Sequence, residues 1–168
     1  VVEFDENSPS VHYGQIKDVM IGNLGYPLAD LVKATIDARI DNSGDVTTAE
    51  ETLRLLTIIG DKPEPESTEL DISHDRKIKS PRKHTVNIRI DEMNEANYSF
   101  LLSLLENGVT EVAMWYFTDA HMYGAEAGIK ASINLDHVIP ESTEELEYIT
   151  GTLTWQGDYP ARIANPGV

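Results

Sequence analysis

The chain lacks cysteine and is poor in basic residues. Without cysteine it can form neither a disulfide framework nor a thiolate metal site. Its 13 Lys and Arg residues stand against 29 Asp and Glu residues, a net charge of −16. An acidic surface repels phosphate over a screening length of about 8 Å, which disfavours tight or sequence-specific binding of duplex DNA. Apolar runs are only a few residues long, so we expect no membrane span, no signal peptide and a soluble protein.

The first 60 residues give the weakest pattern. At 168 residues and 40% hydrophobic content, the chain has the size of one domain, residues 1–168. Within the N-terminal region 1–50, the segment "LADLVKATIDARI" (28–40) fits a helix, but its second half also alternates as a strand would. We predict a strand over 33–40. The segment "TAEETLRLLTIIG" (48–60) is ambiguous in the same way, and we predict a strand that ends at Gly60.

An amphipathic helix is predicted between residues 91 and 107. In "DEMNEANYSFLLSLLENG", apolar residues recur at spacings of three and four, which places them on one helix face. Asp91 suits the N-cap and Gly108 suits a left-handed C-terminal cap. We expect the apolar face to pack on the core.

Elsewhere in the second half, apolar residues alternate with polar ones, as in half-buried strands. The segment "STELDIS" (67–73) is expected to direct Leu70 and Ile72 inward. Strands that follow one another without intervening helices favour an antiparallel β-sandwich or barrel with one flanking α-helix, about 91–107. The other predicted strands are "HTVNIRI" (84–90), "VTEVAMWYF" (109–117), "GIKASINLDHVI" (128–139) and "ITGTLTWQ" (149–156).

No arrangement of residues predicts catalysis, a cofactor site or a metal site. The five histidines never pair at the spacings that bring ligands together on one strand or helix. Ser80 and Lys83 match S-x-x-K, but the companion motifs of serine acyl-transferases are missing. We therefore predict a protein that is not an enzyme and needs no cofactor.

One segment is basic. "RKIKSPRK" (76–83) holds five of the 13 basic residues and no acid, so the rest of the chain, eight bases against 29 acids, carries −21. The segment lies between two predicted strands and is expected to form a hairpin or loop over 74–84. It is either a solvated loop or an arm that docks on the acidic surface of an identical neighbour.

The order of elements over residues 53–160 resembles the major tail tube proteins of long-tailed, siphovirus-like bacteriophages. The resemblance rests on "GDKPEPESTELDIS", the polar hairpin, "HTVNIRI", the helix "NEANYSFLLSLLENG", two further strands and the closing "GTLTWQGDYP". It implies a β-sandwich or barrel that assembles into stacked hexameric rings and lines a conduit for DNA. It also implies a virion tail protein, made in the host cytoplasm, whose other partners include the tape measure and terminator proteins.

Two residue sets follow from that resemblance as hypotheses. Six copies of −16 give a ring charge of −96, and an acidic lumen would let DNA slide without specific binding. The predicted lumen-facing acids are Glu64, Glu66, Glu69 and Asp71. The predicted contacts between rings are Arg76, Lys77, Lys79, Arg82 and Lys83.

Other interpretations remain open at this point. A related ring protein, such as a tail terminator or a type VI secretion tube subunit, fits the same pattern. A monomeric β-sandwich virion binding module is also possible, with Trp115, Tyr116 and Tyr123 as an exposed stacking platform.

Overall fold

The architecture is mainly β. The computed structural model describes residues 14–41, 50–92, 94–106 and 111–168. Two helices and ten strands lie in these ranges. In chain order they are β1 (Ile16–Gly22), α1 (Lys33–Arg39), β2 (Leu53–Asp61), β3 (Glu69–Ile72), β4 (Arg76–Lys79), β5 (Lys83–Ile90), α2 (Glu95–Glu106), β6 (Glu111–Phe117), β7 (His121–Tyr123), β8 (Ile129–Val138), β9 (Tyr148–Gln156) and β10 (Arg162–Ala164).

Six strands close into an antiparallel barrel. Their order is β1-β2-β5-β9-β8-β6, and β6 pairs back onto β1 with Met20 opposite Trp115. Strands β7 and β10 extend the sheet beyond β6. The prediction of an antiparallel β-sandwich or barrel is thus confirmed in its barrel form. Closure pairs the backbone of the outermost strands, which would otherwise be free sheet edges.

The barrel has two distinct ends. At the hairpin end, defined by Ile16, Asp61, Lys83 and Gln156, β1 and β5 begin and β2 and β9 end. At the helix end, defined by Gly22, Leu53, Ile90 and Tyr148, the same strands have their other termini. The β3–β4 connection lies at the hairpin end, and α2 follows β5 at the helix end.

Alternating side chains fill the barrel interior. Val86, Ile88 and Ile90 of β5 are fully or almost fully buried, as their spacing predicts. In β8, Ile129, Ala131, Ile133 and Leu135 point inward between exposed neighbours. The predicted strands 84–90, 128–139 and 149–156 are therefore confirmed, and the strand expected to end at Gly60 runs to Asp61.

A second core lies outside the barrel. Strands β1 and β6 are buried on both faces, because Met20, Trp115 and Phe117 pack outward against other apolar residues. Ile36 of α1 is fully buried in this outer cluster. The predicted strand over 33–40 is thus wrong, since Lys33–Arg39 is helical. Its alternation came from Ala34 and Ala38, which are exposed, and alanine favours helix.

Helix α2 packs on the inner core. Leu101 is fully buried, and Phe100, Leu104 and Leu105 pack beside it, as the predicted amphipathic face requires. The predicted N-cap is wrong: the backbone N–H of Asn97 donates to Asn94 Oδ1 at 2.9 Å, so Asn94 caps the helix. Asp91 instead accepts a hydrogen bond from Arg89 Nε at 2.9 Å. The predicted C-cap Gly108 lies outside the described residues.

Candidate functional site at the hairpin end

A two-stranded ribbon stands apart from the barrel sheet. β3 pairs antiparallel with β4, with Leu70 opposite Ile78 and Asp71 opposite Lys77. The turn between them holds His74 and Asp75 at positive φ values of 69° and 54°, and both residue types tolerate this conformation better than most. Backbone hydrogen bonds between Glu66 and Lys83, at 2.8 and 3.0 Å, continue the ladder to the barrel. We call residues 64–83 the arm.

One face of the arm is apolar and exposed. Cross-strand partners share a face, so Leu70 and Ile78 lie side by side, at 57% and 51% exposure. Ile72, on the same face, is half-buried. The expectation that Leu70 and Ile72 point into the core is wrong for Leu70. The physical reason is that β3 pairs with β4 outside the barrel, so its alternation marks the apolar side of a ribbon.

The opposite face of the arm carries charges of both signs. Glu69 Oε atoms lie 3.6 Å from Lys77 Nζ and 3.9 Å from Lys79 Nζ. Between residues 64 and 83 the five bases are balanced by five acids, Glu64, Glu66, Glu69, Asp71 and Asp75. A basic stretch of sequence therefore folds into an arm without net charge, and exposed pairs of this kind contribute about 0–1 kcal/mol.

The five cations predicted to contact a neighbouring ring do not form one group. Lys77 and Lys79 lie on the charged face, while Arg76 is opposite Ile72 on the other face. Arg82 Cζ lies 5.5 Å from the centre of the Tyr159 ring, and Lys83 begins β5. Whether these residues contact another ring stays a prediction.

The four acids predicted to face a lumen are all exposed. Glu69 and Asp71 lie on the charged face of the arm, opposite Lys79 and Lys77. Glu66 bridges to Lys83 through its backbone, and Glu64 precedes it in the connection from β2. Their position in an assembly stays a prediction.

A buried histidine lies at the base of the arm. His84 is fully buried, stacks on Trp155 at 5.0 Å between ring centres and meets the edge of Tyr159 at 4.8 Å. Its Nε2 lies 3.1 Å from the Gly157 carbonyl, which can only accept, so Nε2 carries a proton. Nδ1 has no hydrogen-bond partner among the described residues. The spacing of histidines along the sequence could not predict this cluster, because His84 and Tyr159 are distant in sequence.

The helix end of the barrel also exposes apolar side chains. In the connection from β8 to β9, Ile139 and Leu146 are 72% and 69% exposed. The same connection, 139–147, contains Glu141, Glu144, Glu145 and Glu147, and no base. Glu147 Oε1 lies 2.6 Å from His137 Nε2. We call residues 139–147 the acidic loop.

The aromatic residues proposed as a stacking platform are not exposed together. Trp115 is fully buried, and its Nε1 donates to the Ala125 carbonyl at 2.7 Å. Tyr116 is 3% exposed, and Tyr123, which stacks on it at 4.7 Å, is half-buried. An exposed platform of these three residues is therefore ruled out, because β6 is buried on both faces.

Neither a metal site in the described residues nor a match to a known protein indicates a function. Among the described residues, no three His, Asp or Glu side chains are close enough to hold a metal ion. No helix in the described ranges has the length and apolar character needed to cross a membrane. No family model, curated protein or solved structure matches the chain.

Proposed function

We propose that this chain is a structural, non-enzymatic subunit that assembles with copies of itself into rings, and that the rings stack as the tail tube of a bacteriophage virion. Hexameric rings, DNA that passes without specific binding, and contacts with tape measure and terminator proteins belong to the same proposal. The observation that carries it is the arm, a ribbon outside a closed barrel with an exposed apolar face.

The arm supports assembly because its apolar face is not covered by any other part of the chain that the structure describes. Leu70 and Ile78 are each more than half exposed and lie directly opposite each other. Ordering a ribbon outside the core costs conformational entropy, and its exposed apolar pair does not recover that cost within one molecule. Burial against a neighbour would contribute about 25 cal/mol for each Å² removed from water.

The two ends of the barrel are complementary. The arm lies at the hairpin end and bears Arg76 on the same face as its apolar pair. The acidic loop lies at the helix end and bears four glutamates beside Ile139 and Leu146. Contacts between unlike patches at opposite ends are heterologous, and such contacts generate rings or open stacks. Pairing of Arg76 with one of these glutamates would fix the register of the contact.

The net charge supports a conduit better than a DNA-binding protein. At −16 per chain, a ring of copies repels phosphate and offers passing DNA no strong binding minimum.

The test removes the apolar pair from each end separately. We expect Leu70→Ser/Ile78→Ser and Ile139→Ser/Leu146→Ser each to abolish assemblies in sedimentation velocity at concentrations where the wild type forms them. Val32→Ser is the matched control, because Val32 is 51% exposed but lies just before α1, outside both patches. Melting curves establish that the variants fold, since exposed substitutions usually change stability by about 0.5 kcal/mol or less.

Three results would count against the proposal. A wild type that stays monomeric at every concentration removes the assembly role. Assembly that survives both double substitutions shows that other surfaces join the copies. Loss of assembly in Val32→Ser alone would place the contact at α1.

A further inference from the structure

A cavity of about 520 Å³ opens at the hairpin end of the barrel, between the start of β1, the ends of β2 and β6, and strands β7 and β10. This volume falls within the usual range of small-molecule sites, about 300–1,000 Å³. Three tyrosine rings, two cations and one acid dominate its lining: Tyr116, Tyr123, Tyr159, Lys62, Arg162 and Asp61.

The cations at this cavity form no ion pair with a carboxylate of the described residues. In the part of the chain that the structure describes, Lys17, Lys33, Arg89 and Lys130 each pair with a carboxylate at 3.3 Å or less. Lys62 and Arg162 form no ion pair within those same residues. Lys62 Nζ instead lies 5.0 Å from the centre of the Tyr159 ring and 5.9 Å from that of Trp155. Other bases, such as Arg82 and Lys83, also form no ion pair among the described residues, but only Lys62 and Arg162 line this cavity beside three tyrosines.

Of the charged side chains that line the cavity, Lys62 and Arg162 are donors and Asp61 is an acceptor. Burial, and next the neighbouring Tyr123, raise the pKa of Tyr116, so its hydroxyl stays protonated and can donate. Among the described residues this hydroxyl has no hydrogen-bond partner. Burial lowers the pKa of Lys62, which shows that its charge is partly desolvated without a compensating anion.

We propose that this cavity binds a small aromatic anion, with the ring system against the tyrosines and the anionic group at Lys62 and Arg162. Stacking on aromatic rings and charge-assisted hydrogen bonds would act together on such a ligand. A cationic ligand would meet two positive charges at the same place. The inference is independent of self-assembly, because the lining residues belong to the barrel, β7, β10 and their connections, and not to the arm.

Calorimetric titration of the full chain tests the ligand class with three probes. Naphthoate carries both a ring system and an anion, naphthalene methanol carries the ring system alone, and inorganic phosphate carries the anion alone. We expect naphthoate to bind at least about ten-fold more tightly than either of the others, since one charge-assisted hydrogen bond contributes about that factor. Equal binding of the alcohol, or no binding of naphthoate, would overturn the proposal.

Two single substitutions locate the site. Lys62→Met and Arg162→Met should each weaken naphthoate binding by about ten-fold and leave binding of the alcohol unchanged. Lys33→Met is the matched control, because Lys33 pairs with Asp37 on α1, outside the cavity lining. Unchanged naphthoate affinity in both cavity variants, each shown to fold by its melting curve, would mean that the anion binds elsewhere. If one variant does not fold, the other variant and the three probes on the wild type still test whether the cavity binds the aromatic anion.

Discussion

At the residue scale, Tyr116 connects burial to alkaline stability. Its ring stacks on Tyr123 at 4.7 Å, and burial raises its pKa above the ordinary value of 10.0. In the pH range between the unfolded and folded pKa values, the folded state binds the additional proton. The stability that this proton contributes is fully present below pH 10.0 and is lost as the pH rises through the folded pKa.

We therefore expect the wild type to lose stability more steeply than Tyr116→Phe above about pH 10, by up to about 1.4 kcal/mol per pH unit. Denaturant unfolding of both proteins at about pH 9 and about pH 11 measures the difference. Tyr148→Phe serves as the control, because Tyr148 is half-buried at the opposite end of the barrel. Parallel losses in wild type and Tyr116→Phe would show that Tyr116 does not titrate differently on folding.

Individual residues also show how far alternation in the sequence predicts burial. Val86, Ile88 and Ile90 alternate with polar residues and are buried, because one side of β5 faces the barrel interior. Leu70 alternates in the same way but is exposed, because β3 belongs to a ribbon. Alternation predicts two different faces, and only the pairing partners decide whether the apolar face meets a core. The same limit applies to Trp115 and Tyr116, whose strand is buried on both sides.

At the element scale, α2 contributes through one fully buried side chain. Leu101 reaches the inner core, while Leu104 is only partly buried. We expect Leu101→Ala to cost about 2–5 kcal/mol through the cavity that it leaves. Leu102→Ala is a matched control on the same helix, because Leu102 is half-buried and lies outside both core clusters. Urea unfolding compares the two variants, and equal costs for both would show that α2 does not dock through Leu101.

Helix α1 shows why a short element escapes prediction. The segment 28–40 satisfies helical and strand periods at once, and seven helical residues, Lys33–Arg39, are too few for periodicity to decide. The burial of Ile36 explains the helix, because this side chain is fully buried in the outer core that also contains Trp115 and Met20. Predicting this helix therefore requires knowing that β1 and β6 are buried on their outer faces, and β6 is distant from α1 in sequence.

The sequence predicted where the arm lies in the chain but not which charges and apolar side chains it exposes. The hairpin was expected between residues 74 and 84, and the ribbon extends back to Glu69. The basic run suggested a positively charged arm. Pairing with β3 places Glu69 and Asp71 against Lys79 and Lys77 instead. The register between β3 and β4 places acids beside the bases on one face of the arm and Leu70 beside Ile78 on the other. No local sequence pattern specifies this register.

At the scale of the whole molecule, the balanced arm changes what salt should do. An arm of +5 facing an acidic neighbour would lose attraction as salt screens it. With the arm's own charges balanced, the dominant long-range term between copies is the repulsion of chains at −16 each. At about 0.5 M salt the screening length falls to roughly 4 Å, so the repulsion weakens while apolar contacts persist.

The most direct measurement of the central claim is negative-stain electron microscopy of the concentrated wild-type protein at low salt and at about 0.5 M salt. We expect rings or stacked tubes, more abundant at the higher salt, and their absence in Leu70→Ser/Ile78→Ser. Isolated single-chain particles of the wild type under both conditions would contradict it.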